Sequence, residues 1–523
     1  MTHSSPVDPS EPEIAGARPR RGSAVNRITL YPPEPVSDAI VFRWQVEPPT
    51  ALYRRSQFTL RFPPGVDVSR IPMSLWWTVA LVCLHSHWPL LRPCDVHLPI
   101  RLRPGEVEFW SRLLDAEVAM LEAHRGTSDC ARTVRILEGG RPVEPVPSLS
   151  DTGRCATAFS GGKDSLLQTG ILAELTPRPV LVTVTSPMLP WRDHLTARRR
   201  YVMAEVTRRR PVTHVEVQTD YRSCWENEFS RSQGYPLAVS ELTDTFLYFG
   251  VLLATGFASG APHLFLASEA EVQENVERDG RIIQHPHLMY STVTQRALQA
   301  LLRPVGIRYS SLTSALHSAQ VQTALWRRYR DLCDLQYSCW EVRDGEAPCS
   351  RCSQCLRIAF RILAMGEAPA RIGLDLVPLL NAQKGWIPKH PAADALPKDR
   401  VSGDLHAQVV RDIQATPIHR VALSLAAGGP ARFLTPRAGA ALARYLALRR
   451  RISRYAVGPA PGYRPGFLRL VDPLVRERAA RILAEYFPEE DVEAYAGVLL
   501  RGDSLARWIT EPIGGEPEEA SVS

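Results

Sequence analysis

The chain is short of lysine. Lys163, Lys384, Lys389 and Lys398 are the lysines among 62 basic residues in 523, so arginine carries nearly all the positive charge. An arginine-rich stretch is therefore a weak signal, and a lysine inside a glycine-rich loop is a strong one. Long apolar runs are also missing. The most apolar stretch, Leu75 to Leu91, is interrupted by His85, His87 and Pro89 and is too short to span a bilayer. No membrane partner is expected. Met1 to Val25 is polar and rich in Pro, Ser and Arg, without the apolar centre of a secretory signal. Charge of one sign does not dominate either. A formal charge of +7 permits anionic ligands such as nucleotides but demands no nucleic-acid partner, and basic stretches are not interleaved with aromatics.

Ten cysteines in so long a chain do not read as a disulfide scaffold. Four of them cluster, which points to a metal site in a reducing compartment, and a cytoplasmic location is expected. At 45% hydrophobic and 22% charged residues the chain reads as globular, with enough length for about two to four domains.

Five regions follow from the pattern. Residues 1–25 read as a disordered arm and 511–523 as an acidic disordered tail. Residues 26–150 mix extended and helical segments, with strand-like runs at 39–44 and 57–62 and a helical period over 106–124, and are expected to form an α+β domain. From 151 to 375 strands and helices alternate. Strands are expected at 156–159, 179–184, 214–217 and 263–267, with helices over 164–175, 193–209 and 240–259 between them. That alternation predicts an α/β fold with a doubly wound parallel sheet, whose ligand lies at the carboxyl ends of the strands. Residues 376–510 read as a helical domain, with amphipathic periods over 438–452 and 474–486.

The sharpest motif is Ser160-Gly161-Gly162-Lys163-Asp164-Ser165, which follows a strand and opens a helix. Two glycines allow a tight turn that aims backbone N–H groups at an anion. The helix N-terminus adds a partial positive charge and Lys163 a full one. Ser160 and Ser165 can donate to phosphate oxygens, and Asp164 can help hold magnesium. The spacing fits neither the Gly-x-x-x-x-Gly-Lys-Ser/Thr loop nor a dinucleotide fingerprint.

A second motif is Cys349-x-x-Cys352-x-x-Cys355, with Cys339 upstream. Four thiolates can close a tetrahedral zinc site, and two-residue spacers suit a tight knuckle. An iron–sulfur cluster is the competing reading. Glu269, in Ser268-Glu269-Ala270-Glu271, follows the fourth strand of the alternating region and so falls at the ligand edge, with Glu274 and Glu277 just beyond. Further candidates are Tyr309 to Thr313, His317, His285 and His287. The triplets Arg198 to Arg200 and Arg208 to Arg210 read as a solvated helix face.

The loop resembles the Ser-Gly-Gly-x-Asp-Ser loop of the ATP pyrophosphatase (PP-loop) superfamily. Together with the cysteine segment, including Tyr337-Ser338-Cys339-Trp340 and Cys355-Leu356-Arg357, it is similar over about residues 155–365 to 7-cyano-7-deazaguanine synthase. The resemblance implies a Rossmann-like PP-loop domain with a zinc knuckle. It implies ATP, Mg2+ and Zn2+ as cofactors, with Ser160 to Ser165 binding ATP and Lys163, Asp164 and Glu269 acting catalytically. The implied metal ligands are Cys339, Cys349, Cys352 and Cys355. It further implies an AMP-forming ligase: a carboxylate is adenylated with release of pyrophosphate, and a nitrogen nucleophile then displaces AMP. The flanking regions suggest an acid larger than a free purine, such as a peptide, a protein terminus or a carrier-bound acid. Two other reactions stay open: epimerisation of a glutamate in a UDP-muramyl peptide, and sulfur transfer to tRNA or a small molecule.

Overall fold

The computed structural model describes residues 25–125, 134–186, 193–235, 238–270, 276–278, 281–283, 288–290, 292–339, 347–382 and 462–489. The arm before residue 25, the helix expected at 438–452 and the tail 511–523 lie outside the described residues, as do Glu271, Glu274, His285, His287 and Trp340.

The alternating region supplies five parallel strands: β7 (Cys155–Ala158), β8 (Val180–Thr185), β9 (Thr213–Thr219), β10 (His263–Phe265) and β13 (Arg308–Ser310). Their order is β13-β10-β7-β8-β9. The chain leaves β7 in one direction to reach β8 and β9, then returns to the other side of β7 for β10 and β13. The carboxyl end of β7 is therefore the topological switch point, where crossovers diverge and leave a crevice. β8 reads Val-Leu-Val-Thr-Val-Thr and every residue is buried, as expected of a strand covered on both faces.

The sheet does not stop at residue 150. β1 (Asn26–Leu30), β2 (Glu34–Val36), β3 (Ala39–Glu47), β4 (Gln57–Arg61), β5 (Cys94–Arg101) and β6 (Val134–Pro142) extend it to eleven strands. The junction is β4 against β9, antiparallel, with Leu60 opposite Thr219 and Arg61 opposite Gln218. The strands of 26–150 thus lengthen the sheet of the alternating region instead of forming a sheet of their own. The fold is α/β with a mostly parallel sheet. A separate hairpin pairs β11 (Val276–Arg278) with β12 (Arg281–Ile283).

Helices cover both faces. α1 (Met73–Leu84), α2 (Glu106–Arg125), α6 (Val239–Ala258) and α7 (Thr292–Leu302) share one core with Ala156, Val180, Val182 and Val217. The opposite core joins α3 (Lys163–Leu175), α4 (Asp193–Arg209), α8 (Ser318–Arg328), α9 (Ser353–Ala364), α10 (Leu376–Ala382) and α11 (Pro473–Ala484) to Cys155 and Leu181. α5 (Phe229–Ser232) is a single turn. Apart from Met73, α1 is buried throughout its length, because it packs along α6 and sets Trp76 against Phe42 and Phe62. Gly250 permits that approach: a Cβ there would lie 2.7 Å from the Cys83 Sγ.

Candidate functional site

β7 runs into the glycine turn at the switch point. Gly161 has φ +79°, the left-handed region that glycine enters without steric cost, and Val202 of α4 packs beside it at 3.5 Å from where a Cβ would stand. Gly162 is the N-cap of α3 and has no side chain to cap with, so the first amides of the helix look to other acceptors. The amide of Gly162 donates to Ser160 Oγ, that of Lys163 to Ser338 Oγ and that of Ser160 to Ser165 Oγ, each at 3.4 Å. These are long bonds to neutral hydroxyls. A phosphate oxygen, ionised and able to approach to about 2.8 Å, is a much stronger acceptor for the same N–H groups.

Lys163 is 3% exposed and does not point into solvent. Its ammonium donates to both Asp164 oxygens, at 2.8 and 3.0 Å, and pairs with Glu269 Oε1. Glu269 Oε1 also accepts from Ser318 Oγ at 2.7 Å, at the start of α8. The strand ends therefore bring together Lys163, Asp164 and Glu269, one cation held between two carboxylates. Ser165, buried, donates its hydroxyl back to the Gly162 carbonyl at 3.0 Å and closes the loop on itself. Ser160 is exposed.

The remaining sequence candidates are placed differently. Tyr309 is wholly buried against Phe249. Ser311 Oγ accepts from the amides of Ser268, at 3.1 Å, and Thr313, at 3.3 Å, tying the turn after β10 to the turn after β13. His317 is the N-cap of α8, and its amide donates to Gln320. Glu277 lies in β11.

The arginine triplets are not uniformly a solvated face. Arg200 pairs with Glu216, Arg208 and Arg209 with Glu205, and Arg210 with Asp331, as surface arginines do. Arg199 and Arg198 turn the other way, because α4 presents these positions toward the ends of β8 and the cysteine segment. Arg199 Nη1 donates to the Val184 carbonyl at 3.2 Å, and the Arg198 guanidinium stacks 5.2 Å from the Tyr337 ring. Nearby, Arg222 follows β9 with its side chain 4% exposed. It donates to Asp244 at 2.8 Å, to Ser186 Oγ at 3.3 Å and to Tyr248 Oη. Burial works against the Arg222 charge, but Asp244 and Tyr248 outweigh it and raise the pKa. Arg199, where burial dominates and Arg222 adds repulsion, is pushed below its usual value. Sequence reading missed Arg222, Asp244, Tyr248 and Ser318, which carry no motif. Ser338 was legible only as part of Tyr337-Ser338-Cys339-Trp340.

The four cysteines gather beside the loop. Their sulfurs lie within 4.8 Å of one another, with Cys339 to Cys352 at 4.0 Å, Cys349 to Cys355 at 3.9 Å and Cys352 to Cys355 at 3.5 Å. A tetrahedron of thiolates about 2.3 Å from a central zinc has edges of about 3.8 Å, so the separations suit such an ion. The Cys352 amide donates to Cys349 Sγ and the Cys355 amide to Cys352 Sγ, as in a metal knuckle. Ser350 takes φ +49° at its tip, and its hydroxyl accepts from the Asp375 amide at 2.9 Å. The site also steadies the loop: the Tyr337 amide donates to the Gly161 carbonyl at 2.9 Å, two residues before Cys339. A second close group, Asp151, His263 and Asp472, is threaded by Arg308, which pairs with both aspartates and makes it an ion-pair network.

No described helix is long and apolar enough to cross a membrane. No protein-family model, curated protein or solved structure matches the chain.

Proposed function

We propose that the protein binds ATP through its pyrophosphate at Ser160 to Ser165, adenylates a substrate carboxylate and passes the acyl group to a nitrogen nucleophile. The observation that carries this reading is the set of loop amides at the head of α3, each satisfied by a weak hydroxyl bond, next to Lys163 held between Asp164 and Glu269. A polyphosphate fits the amides and the helix terminus. Gripping the β and γ phosphates there leaves the α-phosphorus as the site of attack, so the carboxylate oxygen bonds to it and pyrophosphate leaves.

Asp164 and Glu269 are the residues that would hold Mg2+, a cation that prefers one or two carboxylates together with phosphate oxygens. Bound magnesium would neutralise charge on the departing pyrophosphate. Lys163 would then exchange a carboxylate contact for a phosphate oxygen, which is why its ammonium is kept close by instead of free in solvent. The cysteine site, with all four sulfurs turned toward one another, is the place for a structural Zn2+ that anchors residues 337–339 against the loop.

The test is exchange of labelled pyrophosphate into ATP in the presence of a carboxylic-acid library, with and without Mg2+. Exchange that depends on one acid class, and falls at least about 100-fold in Lys163→Ala, is expected. Absence of acid-dependent exchange across the library would overturn the reading. Amide product distinguishes the ligase from the epimerase, which would instead place solvent deuterium on the carbon next to the carboxyl.

A further inference from the structure

We propose that Arg199 and Tyr337 form the seat for the carboxylate of the acid activated at this site, an assignment that rests on the adenylation reading above. Both groups stand next to the loop. Tyr337 is bonded through its amide to Gly161, and Val202, on the same helix as Arg199, packs on Gly161. Arg199 reaches the carboxyl end of β8, where it bonds to Val184, and Arg222 arrives from the carboxyl end of β9. The seat thus lies on the edge of the sheet where ligands of this architecture bind.

Three observations point to an anion. Tyr337 is 6% exposed, yet its hydroxyl has no hydrogen-bond partner among the described residues, an arrangement that costs free energy unless a ligand completes it. Among the described residues Arg199 makes one hydrogen bond, leaving most of a five-donor guanidinium to be satisfied. Arg222 is already committed to Asp244, Ser186 and Tyr248. Among the described residues these two guanidinium groups face one carboxylate, Asp244, and Arg198 adds a third guanidinium beside Tyr337, so positive charge is left in excess.

That excess suits an anion, and because the phosphates already have the loop amides, the seat is left to the carboxylate. A planar carboxylate can accept a pair of N–H bonds from the Arg199 fork and an O–H bond from Tyr337. Arg198 lies over the Tyr337 ring, 5.2 Å from its centroid. The seat would orient the acid, one oxygen directed to the α-phosphorus, while Asp164 and Glu269 would hold the magnesium.

Isothermal titration of the full chain tests this, with benzoate, glutarate, inorganic phosphate and α,β-methylene-ATP as separate titrants. Arg199→Gln is expected to weaken binding of a carboxylate probe by roughly tenfold or more, while the ATP analogue changes by less than about twofold. Arg199→Lys should lose less. Tyr337→Phe, which removes one hydroxyl, should weaken the same probe about threefold or more and serves if Arg199→Gln does not fold. Failure of both carboxylates to bind the wild type, or unchanged carboxylate binding in the variants, would overturn the assignment. So would a loss confined to phosphate and the ATP analogue, which would give the seat to the nucleotide. Failure of the analogue to bind the wild type would instead sink the adenylation reading, and is read in a separate titration.

Discussion

The hydroxyl of Ser338 accepts a hydrogen bond from the amide of Lys163 at 3.4 Å, across 175 residues of chain. One residue later the chain enters the cysteine site. The bond is long, so it contributes little to stability, but it occupies an N–H group that the proposed phosphate would use. Ser338→Ala should therefore lower stability by less than about 1 kcal/mol. ATP affinity should stay within about threefold of the wild type, measured by titration with α,β-methylene-ATP. A tenfold loss of nucleotide affinity would mean that the hydroxyl itself binds the ligand.

The cysteines should hold one zinc per chain, measured by elemental analysis on protein purified without added metal, with no visible-range absorption from an iron–sulfur cluster. Because Tyr337 and Ser338 hold the loop from the same segment, stripping the metal with a chelator should lower Tm and weaken ATP binding together. Cys355→Ser, at the most buried of the four positions, should reproduce both effects. A chelated protein with unchanged nucleotide affinity would separate the metal from the loop.

His87 supplies a pH dependence. It is fully buried, and that burial lowers its pKa from 6.5 to about 3, against the opposing pull of its bond to the Leu84 carbonyl. Between those values the unfolded chain binds a proton that the folded chain refuses, so stability is complete above pH 6.5 and declines as the pH falls toward 3. His87→Phe preserves the ring that packs 4.0 Å from Trp225 and removes the titration. Urea unfolding of the variant should show a shallower decline between pH 6.5 and 4, at a cost of about 1 kcal/mol at neutral pH for the lost hydrogen bond.

The contact between Gly250 and Cys83 tests how the amino-terminal half is joined to the rest. Gly250→Ala would press a methyl group against the Cys83 sulfur, 2.7 Å away, and should destabilise by about 1–3 kcal/mol. Cys83→Ala should relieve most of that in the double variant. Denaturant unfolding of the set gives the coupling directly, and additive effects would show that α1 and α6 do not meet as described.

The strands and helices of 151–270 were legible because a fully covered parallel strand leaves an unbroken apolar run and an amphipathic helix a regular period. β8, expected at 179–184, spans Val180–Thr185, and the helix expected over 193–209 is Asp193–Arg209. β13 escaped notice because three residues, Arg308–Ser310, are too few to show a period, whereas β5 does alternate along Cys94–Arg101 and its signal was overlooked. Union of the two halves into one sheet was equally hidden, because the β4–β9 pairing is made by backbone groups that every residue possesses.

The sequence by itself determined the local chemistry: which glycines could turn at 161–162, which lysine stood beside them and which four cysteines lay at ligand spacing. Proximity in the chain was enough there, because each motif is built from neighbours. Only the tertiary structure decided that Glu269 pairs with Lys163, that Ser338 covers the loop, and that Arg199 points inward while Arg200 points to solvent. Those facts depend on which strand ends meet at the switch point and on which side of a helix faces them, and side chains far apart in sequence record neither.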